Sequence, residues 1–218
     1  MSKSAIENSR PSATRAEQIS VAVAALKHGE AIAFPTETVY GLGADALNVA
    51  AVEKIYRLKG RDPTNPIPLL VADCAMLDVL VTEIPPLAER LITEFWPGPL
   101  TVVLPARRDI PAPLVNCSGG VGMRISSQPT ATELVQRLGR PLTATSANPS
   151  GKPPAHTVEE ARNYFAADIA AFVDGGPLVS KTGSTVVAIS RDKINIIRDG
   201  EIPRSELEKI VGKDKIAP

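Results

Sequence analysis

Short apolar runs that end in proline or glycine alternate along this chain with segments of helical periodicity, and that alternation admits few folds. Ala31-Ile32-Ala33-Phe34, closed by Pro35, is too short for a helix and reads as a buried strand. Ahead of it Ile19, Ala22, Val23 and Leu26 recur at helical spacing, with Gly29 where a helix would be capped. Val49, Val52, Ile55 and Tyr56 predict a second helix ending near Lys59-Gly60. Residues 67–71 read as a strand, and Leu87, Leu91, Phe95 and Trp96 as the inner face of a helix stopped by Pro97-Gly98-Pro99. Residues 100–104, 121–125, 142–145 and 169–173 are further strands. Thr157 and Glu160 form a capping-box pattern before a helix from Val158, and Ser205 with Glu208 repeats it before a C-terminal helix. Residues 184–189 and 193–197 read as a hairpin. Strands interleaved with helices define an α/β fold, and the hairpin argues against a wholly parallel sheet. No repeat or linker divides the chain. We expect one domain over residues 14–213, a disordered N-terminal tail over 1–13 and a C-terminal tail over 214–218.

Charge narrows the function. Lys and Arg number 24 against 24 Asp and Glu, so binding of a polyanion by net charge alone is excluded, while a local basic patch is not. Cys74 and Cys117 are too few for a disulfide scaffold and, with two histidines, make no zinc site; both are expected as reduced packing residues. The apolar stretch at 21–26 is far below the roughly 20 residues a membrane helix needs. Residues 1–13 lack an apolar signal core, so a cytoplasmic location and no membrane partner are expected.

No P-loop, dinucleotide fingerprint or nucleophile elbow is present. Four polar clusters remain. Pro35-Thr36-Glu37-Thr38-Val39-Tyr40-Gly41-Leu42-Gly43 puts hydroxyls and a carboxylate where a strand opens into a loop, a usual ligand position in α/β sheets; a tight turn with Thr36 capping the next element is the plainer reading. Lys59 and Arg61 either complement a helix dipole or clamp a phosphate, Arg61 with its planar fork and Lys59 as a point charge. In Asn116-Cys117-Ser118-Gly119-Gly120-Val121-Gly122-Met123-Arg124 the glycines could aim backbone N–H groups at an anion. Arg124, if buried, needs a ligand anion or an internal carboxylate. Residues 143–153 offer hydroxyls, Asn148 and the basic Lys152 loop, chemistry suited to hydrogen bonding phosphate, ribose or an amino acid. It is less suited to nucleophilic attack, since neither histidine is placed as a base.

Together these clusters resemble the YrdC family. The carriers are the 35–43 stretch, Lys59/Arg61, Trp96-Pro97-Gly98-Pro99-Leu100-Thr101, the Val-Gly-Met-Arg of 121–124, Ser146/Asn148 and Gly183-Ser184-Thr185, in the family's order over about residues 18–212. The resemblance implies a single domain with a twisted mixed parallel/antiparallel sheet and flanking helices around one large groove. It implies a nucleotidyltransferase reaction with Mg2+: L-threonine, bicarbonate or CO2, and ATP give threonylcarbamoyl-adenylate and pyrophosphate. The product would pass to a separate transferase complex that modifies an adenosine beside the tRNA anticodon. By the same resemblance Lys59 and Arg61 hold the triphosphate and carry catalysis. Ser146 and Asn148 bond phosphate or nucleotide, Asn65 and Arg198 join the nucleotide side, and Thr36, Arg124 and Ser184 fix threonine, Arg124 through its carboxylate. The metal ligands are not implied. Such a displacement needs positioning and charge neutralisation more than a Ser/His or zinc centre.

Departures from the family pattern bear on these assignments. Asp62 follows Arg61 where relatives commonly have proline, setting a negative charge beside the phosphate clamp. Ala72 stands near where some relatives carry a substrate-contacting histidine. The chain is expected to be the short, single-domain form, without the zinc-binding and acylphosphatase-like parts of a hydrogenase-maturation protein. Two other readings stay open: a paralogue with another substrate, and a non-catalytic RNA-binding module using Lys59, Arg61, Arg124, Lys152 and Arg198. Aromatic residues for stacking single-stranded bases are scarce.

Overall fold

The structure, a computed structural model, describes residues 13–180, 182–190 and 192–217; the expected N-terminal tail, Ala13 aside, lies outside them. Helix α1 (Arg15–Lys27) starts earlier than its apolar periodicity, because Thr14 caps it. The Thr14 hydroxyl accepts from Glu17 N and the Glu17 carboxylate accepts from Thr14 N, a capping box. The face predicted from Ile19, Ala22, Val23 and Leu26 is the buried one. Strand β1 (Ile32–Phe34) and β2 (Gly41–Gly43) follow, both wholly buried, then α2 (Val49–Lys59), capped by Asn48 and closed by Gly60 in the left-handed region. After β3 (Leu69–Leu70) and a 3-10 turn come α3 (Pro86–Phe95), β4 (Leu100–Pro105), β5 (Gly120–Arg124) and α4 (Pro129–Leu138). The chain continues through β6 (Leu142–Thr143), β7 (Thr145–Ser146), α5 (Val158–Phe165), β8 (Ala171–Phe172), β9 (Thr185–Ser190), β10 (Lys193–Arg198) and α6 (Arg204–Val211).

These strands make two sheets instead of one, in the orders β7-β2-β1-β8 and β10-β9-β4-β5-β3-β6. Both are mixed: β1 with β8, β3 with β5 and β4 with β9 run parallel, while β9 and β10 form the expected antiparallel hairpin. The division falls inside what reads as a single strand. Leu142–Thr143 pairs with β3 and Thr145–Ser146 with β2, so the chain crosses between sheets at the buried Ala144. The sheets meet closely here: the Thr143 hydroxyl accepts from Ala44 N at 2.8 Å. A Cβ on Gly43 would stand 2.5 Å from the Thr143 carbonyl oxygen, so only glycine fits.

Three sequence expectations are corrected. Ser205 is no cap: α6 begins at Arg204 after Pro203 with no side-chain cap, and Glu208 pairs with Arg204. The residues expected as a C-terminal tail are docked as far as residue 217, since Ile216 is buried and Ala217 N donates to Ile194 O of β10. Cys74 and Cys117 are free but exposed, not packing residues. No helix among the described residues is long and apolar enough to cross a membrane.

Candidate functional site

The loop leaving β1 organises one wall of a groove between the sheets. Thr36 Oγ1 donates to Val39 O at 2.6 Å and accepts from the backbone N–H groups of Thr38 and Val39, so it builds the turn the plainer reading assigned to it. It also lines the cavity. Tyr40 is structural: fully buried, it donates to Gly176 O and accepts from Gly175 N, and burial pushes its hydroxyl up to about 12.

Arg124, at the end of β5, is buried against Glu37. Its Nε donates to Glu37 Oε1 at 2.9 Å, and the Ser126 hydroxyl donates to the other carboxylate oxygen. The internal carboxylate left open in the sequence is therefore Glu37, from a loop 87 residues away. That pairing consumes Nε alone. Among the described residues the terminal guanidinium nitrogens have no other partner, and Arg124 lines the cavity, so a second anion can be met there.

Arg198, leaving β10, donates through Nε and Nη2 to Ser184 O and through Nη2 to Ser184 Oγ; that hydroxyl also bonds Thr101 Oγ1 at 2.9 Å. The Arg198 side chain as a whole is exposed, yet its guanidinium is recessed. That desolvation, followed by the like charges of Arg124 and Arg61, lowers its hold on its proton. Arg61 is fixed by Nε to Asn65 O at 2.8 Å and by Nη2 to Pro66 O. The Asp62 carboxylate folds onto the backbone N–H and hydroxyl of Thr64, both at 2.8 Å, an Asx turn; those bonds first, and the Arg61 charge after them, hold its pKa below the usual value.

Lys59 departs from the expected clamp. It is 3% exposed and its ammonium donates to the carbonyls of Ser146 and Asn148, each at 2.5 Å. Burial, and then the Arg61 charge, bring its pKa down to about 7. Asn148 is likewise buried, its Nδ2 donating to Pro149 O and Lys152 O, and its Oδ1 has no partner among the described residues. The glycine nest expected after Asn116 does not form. Gly119 N and Gly120 N are taken by the Asn116 carbonyl and side-chain oxygens.

Two adjoining cavities result. The inner one, about 120 Å³, is lined by Thr36, Thr38, Arg61, Arg124, Ser146, Ser184 and Arg198 among others. The outer one, about 350 Å³, shares Arg61, Pro68 and Arg198 and adds Asn65, Pro66, Asn116, Val186 and Ile197. Of the expected site residues, all but Lys59 and Asn148 line one or both; those two stand behind Ser146. Sequence reasoning passed over Ser126, which carries no motif of its own. Glu37, Thr38, Thr101, Thr145 and Asn116 stand inside the motifs read from the sequence but received no role: the contacts of Glu37 and Thr101 are with residues distant in the chain, and Asn116 is read there only for the glycines after it.

A groove between two sheets, with Arg61, Arg124 and Arg198 over a floor of hydroxyls, defines an α/β domain built for an anionic ligand of amino-acid to nucleotide size. The sequence model of the Sua5/YciO/YrdC family, described as telomere recombination, matches residues 24–200, and the chain belongs to this family. Curated relatives include "Threonylcarbamoyl-AMP synthase" of Pyrococcus abyssi, 38% identical over 92% of this chain and 59% of that protein. The protein of the same name in Bacillus subtilis is 40% identical over 91% of this chain and 58% of its own length. The chain thus spans less than two thirds of these relatives. The crystal structure of P. abyssi Sua5 complexed with L-threonine superposes with a TM-score of 0.88 at 38% identity, over 94% of this chain and 60% of that one.

Proposed function

We propose that this domain is a threonylcarbamoyl-AMP synthase, a nucleotidyltransferase that joins L-threonine, bicarbonate or CO2 and ATP. The carrying observation is the convergence of Arg61, Arg124 and Arg198 on one two-chambered groove. The inner chamber takes threonine, its carboxylate on the terminal nitrogens of Arg124 and its polar groups near Thr36 and Ser184. The triphosphate lies between the chambers on Arg61 and Arg198, with the nucleoside outside beside Asn65. Threonine's amine adds to CO2 and loses a proton to give a carbamate. A carbamate oxygen then attacks the α-phosphorus, the bond to the bridging oxygen breaks, and pyrophosphate leaves with that electron pair. Fixed cations neutralise the charge that builds on the phosphoryl oxygens, and this is the chief demand of such a step.

Lys59 serves here as a positioning residue, fixing through the Ser146 and Asn148 carbonyls the loop whose Ser146 lines the inner chamber. Mg2+ would enter with ATP, and the hydroxyls of Thr145, Ser146 or Ser184 in the lining are the protein groups that would hold it, since Glu37 is committed to Arg124 and Ser126. The ion would neutralise the polyphosphate and the departing pyrophosphate. The product's consumer would be a separate complex that transfers the threonylcarbamoyl group to a tRNA adenosine, which puts the reaction in the cytoplasm.

The test is pyrophosphate release from ATP and bicarbonate, with and without L-threonine. Threonine-dependent release, much weaker with serine, supports the proposal; release indifferent to the amino acid contradicts it. No release together with tight RNA binding would transfer the assignment to a binding module.

A further inference from the structure

The outer chamber holds one polar side chain whose orientation is fixed by the fold and whose function the reaction leaves unassigned. Asn116 Oδ1 accepts from Ser118 N at 3.0 Å, Ser118 Oγ at 2.9 Å and Gly120 N at 2.7 Å. Three donors on one atom decide which end of the amide is oxygen. The nitrogen Nδ2 is then the free end, and it has no partner among the described residues. The turn is rigid: Gly119, at φ +79°, returns its N–H to Asn116 O, and Asn116 N donates to Gly120 O. Asn116 lines a chamber walled by Pro66, Val103, Val186 and Ile197, which joins the inner cavity through Arg61 and Arg198. A phosphate on those arginines would bring the attached base against these apolar walls.

We propose that Asn116 is a specificity-determining residue that reads the nucleotide base, its Nδ2 donating to a ring-nitrogen acceptor on the edge of a purine. This rests on the proposed nucleotide-dependent reaction. Apolar walls supply area without selectivity, and one donor of fixed direction supplies the choice. A base presenting an N–H at that point would leave two donors facing each other, which is costlier than an absent bond.

Asn116→Asp tests this cleanly, because a carboxylate oxygen keeps all three loop donors while an acceptor replaces Nδ2. Calorimetry of the wild-type chain and the variant is run with Mg-ATP and, separately, with Mg-tripolyphosphate, which has the anion but no base. Loss of ATP affinity by about tenfold or more, with tripolyphosphate affinity unchanged and the melting temperature preserved, supports the assignment. Equal losses for both probes would show a charge effect and overturn it, as would no loss for either. Should the variant melt early, Asn116→Ser, which keeps a loop acceptor without the amide donor, must show the same ATP-selective loss or the assignment falls. A wild-type chain that binds tripolyphosphate but not ATP would overturn the nucleotide reaction itself. ATP binding indifferent to residue 116 would overturn only the reading of the base.

Discussion

Arg124 and Glu37 form a buried ion pair at 2.9 Å, their side chains 5% and 11% exposed, and only one edge of the guanidinium is used in making it. A buried arginine is costly unless its charge is met, and Glu37 meets it without covering the edge that faces the inner cavity. The site can thus keep a cation in its floor while no ligand is bound. Removing the partner leaves that cation uncompensated.

Glu37→Ala should therefore cost about 3–5 kcal/mol of stability, as measured by urea denaturation. Glu37→Gln keeps an acceptor and should cost less. Because it also frees Arg124 to turn, the KM for threonine should rise more than kcat falls. A double-mutant cycle with Arg124→Gln should show coupling between the two positions; additive effects would mean the pair does not act as one.

Lys59 gives a prediction in pH. Its pKa falls from the ordinary lysine value to about 7 in the folded state, mainly through burial. Between about pH 7 and its unfolded value the unfolded chain binds more protons, so this group makes stability rise with pH across that window, by at most about 1.4 kcal/mol per unit. Below about pH 7 both states are protonated and the slope vanishes. Lys59→Met should remove this component of the pH profile from thermal melts. It should also weaken ATP binding by loosening the loop at Ser146 and Asn148.

Arg61 is held through backbone carbonyls of its own loop and bridges both chambers. Arg61→Ala should weaken Mg-ATP binding about tenfold to a hundredfold, the range for one or two charge-assisted hydrogen bonds. Threonine binding measured without nucleotide should change far less. Loss of both to the same degree would place Arg61 in the scaffold instead.

Gly200 tests the wall that carries Ser184. A Cβ there would lie 2.4 Å from Gly183 O, the Ser184 carbonyl carbon and Thr185 N. Gly200→Ala should destabilise the fold by about 1–3 kcal/mol, as overpacking does. Ser184 should be displaced, with a higher KM for threonine in steady-state kinetics.

How far the sequence reaches is plain at particular residues. Periodicity located the buried face of α1 and the β9–β10 hairpin, because both depend on neighbours close in the chain. It missed the start of α1, where the Thr14–Glu17 box lies outside the apolar pattern, and overrated Ser205, where Pro203 sets the boundary. The split at Ala144 could not be read from residues 142–146, since either half of that run suits a buried strand. Which sheet each half joins is decided by β2 and β3, far away in sequence. At the site, the arginines and hydroxyls stood out by type, but the partner of Arg124 and the burial of Lys59 are tertiary facts. The motif suggested a phosphate clamp at Lys59, and the fold turned that side chain toward two carbonyls.

The most direct measurement of the central proposal is mass spectrometry of the product formed from ATP, L-threonine and isotopically labelled bicarbonate with Mg2+. We expect a labelled threonylcarbamoyl-adenylate in equal amount to the pyrophosphate released, absent when any one substrate is omitted and strongly reduced in Arg61→Ala. Pyrophosphate release without a labelled adenylate, or an adenylate carrying no label from bicarbonate, would contradict the account.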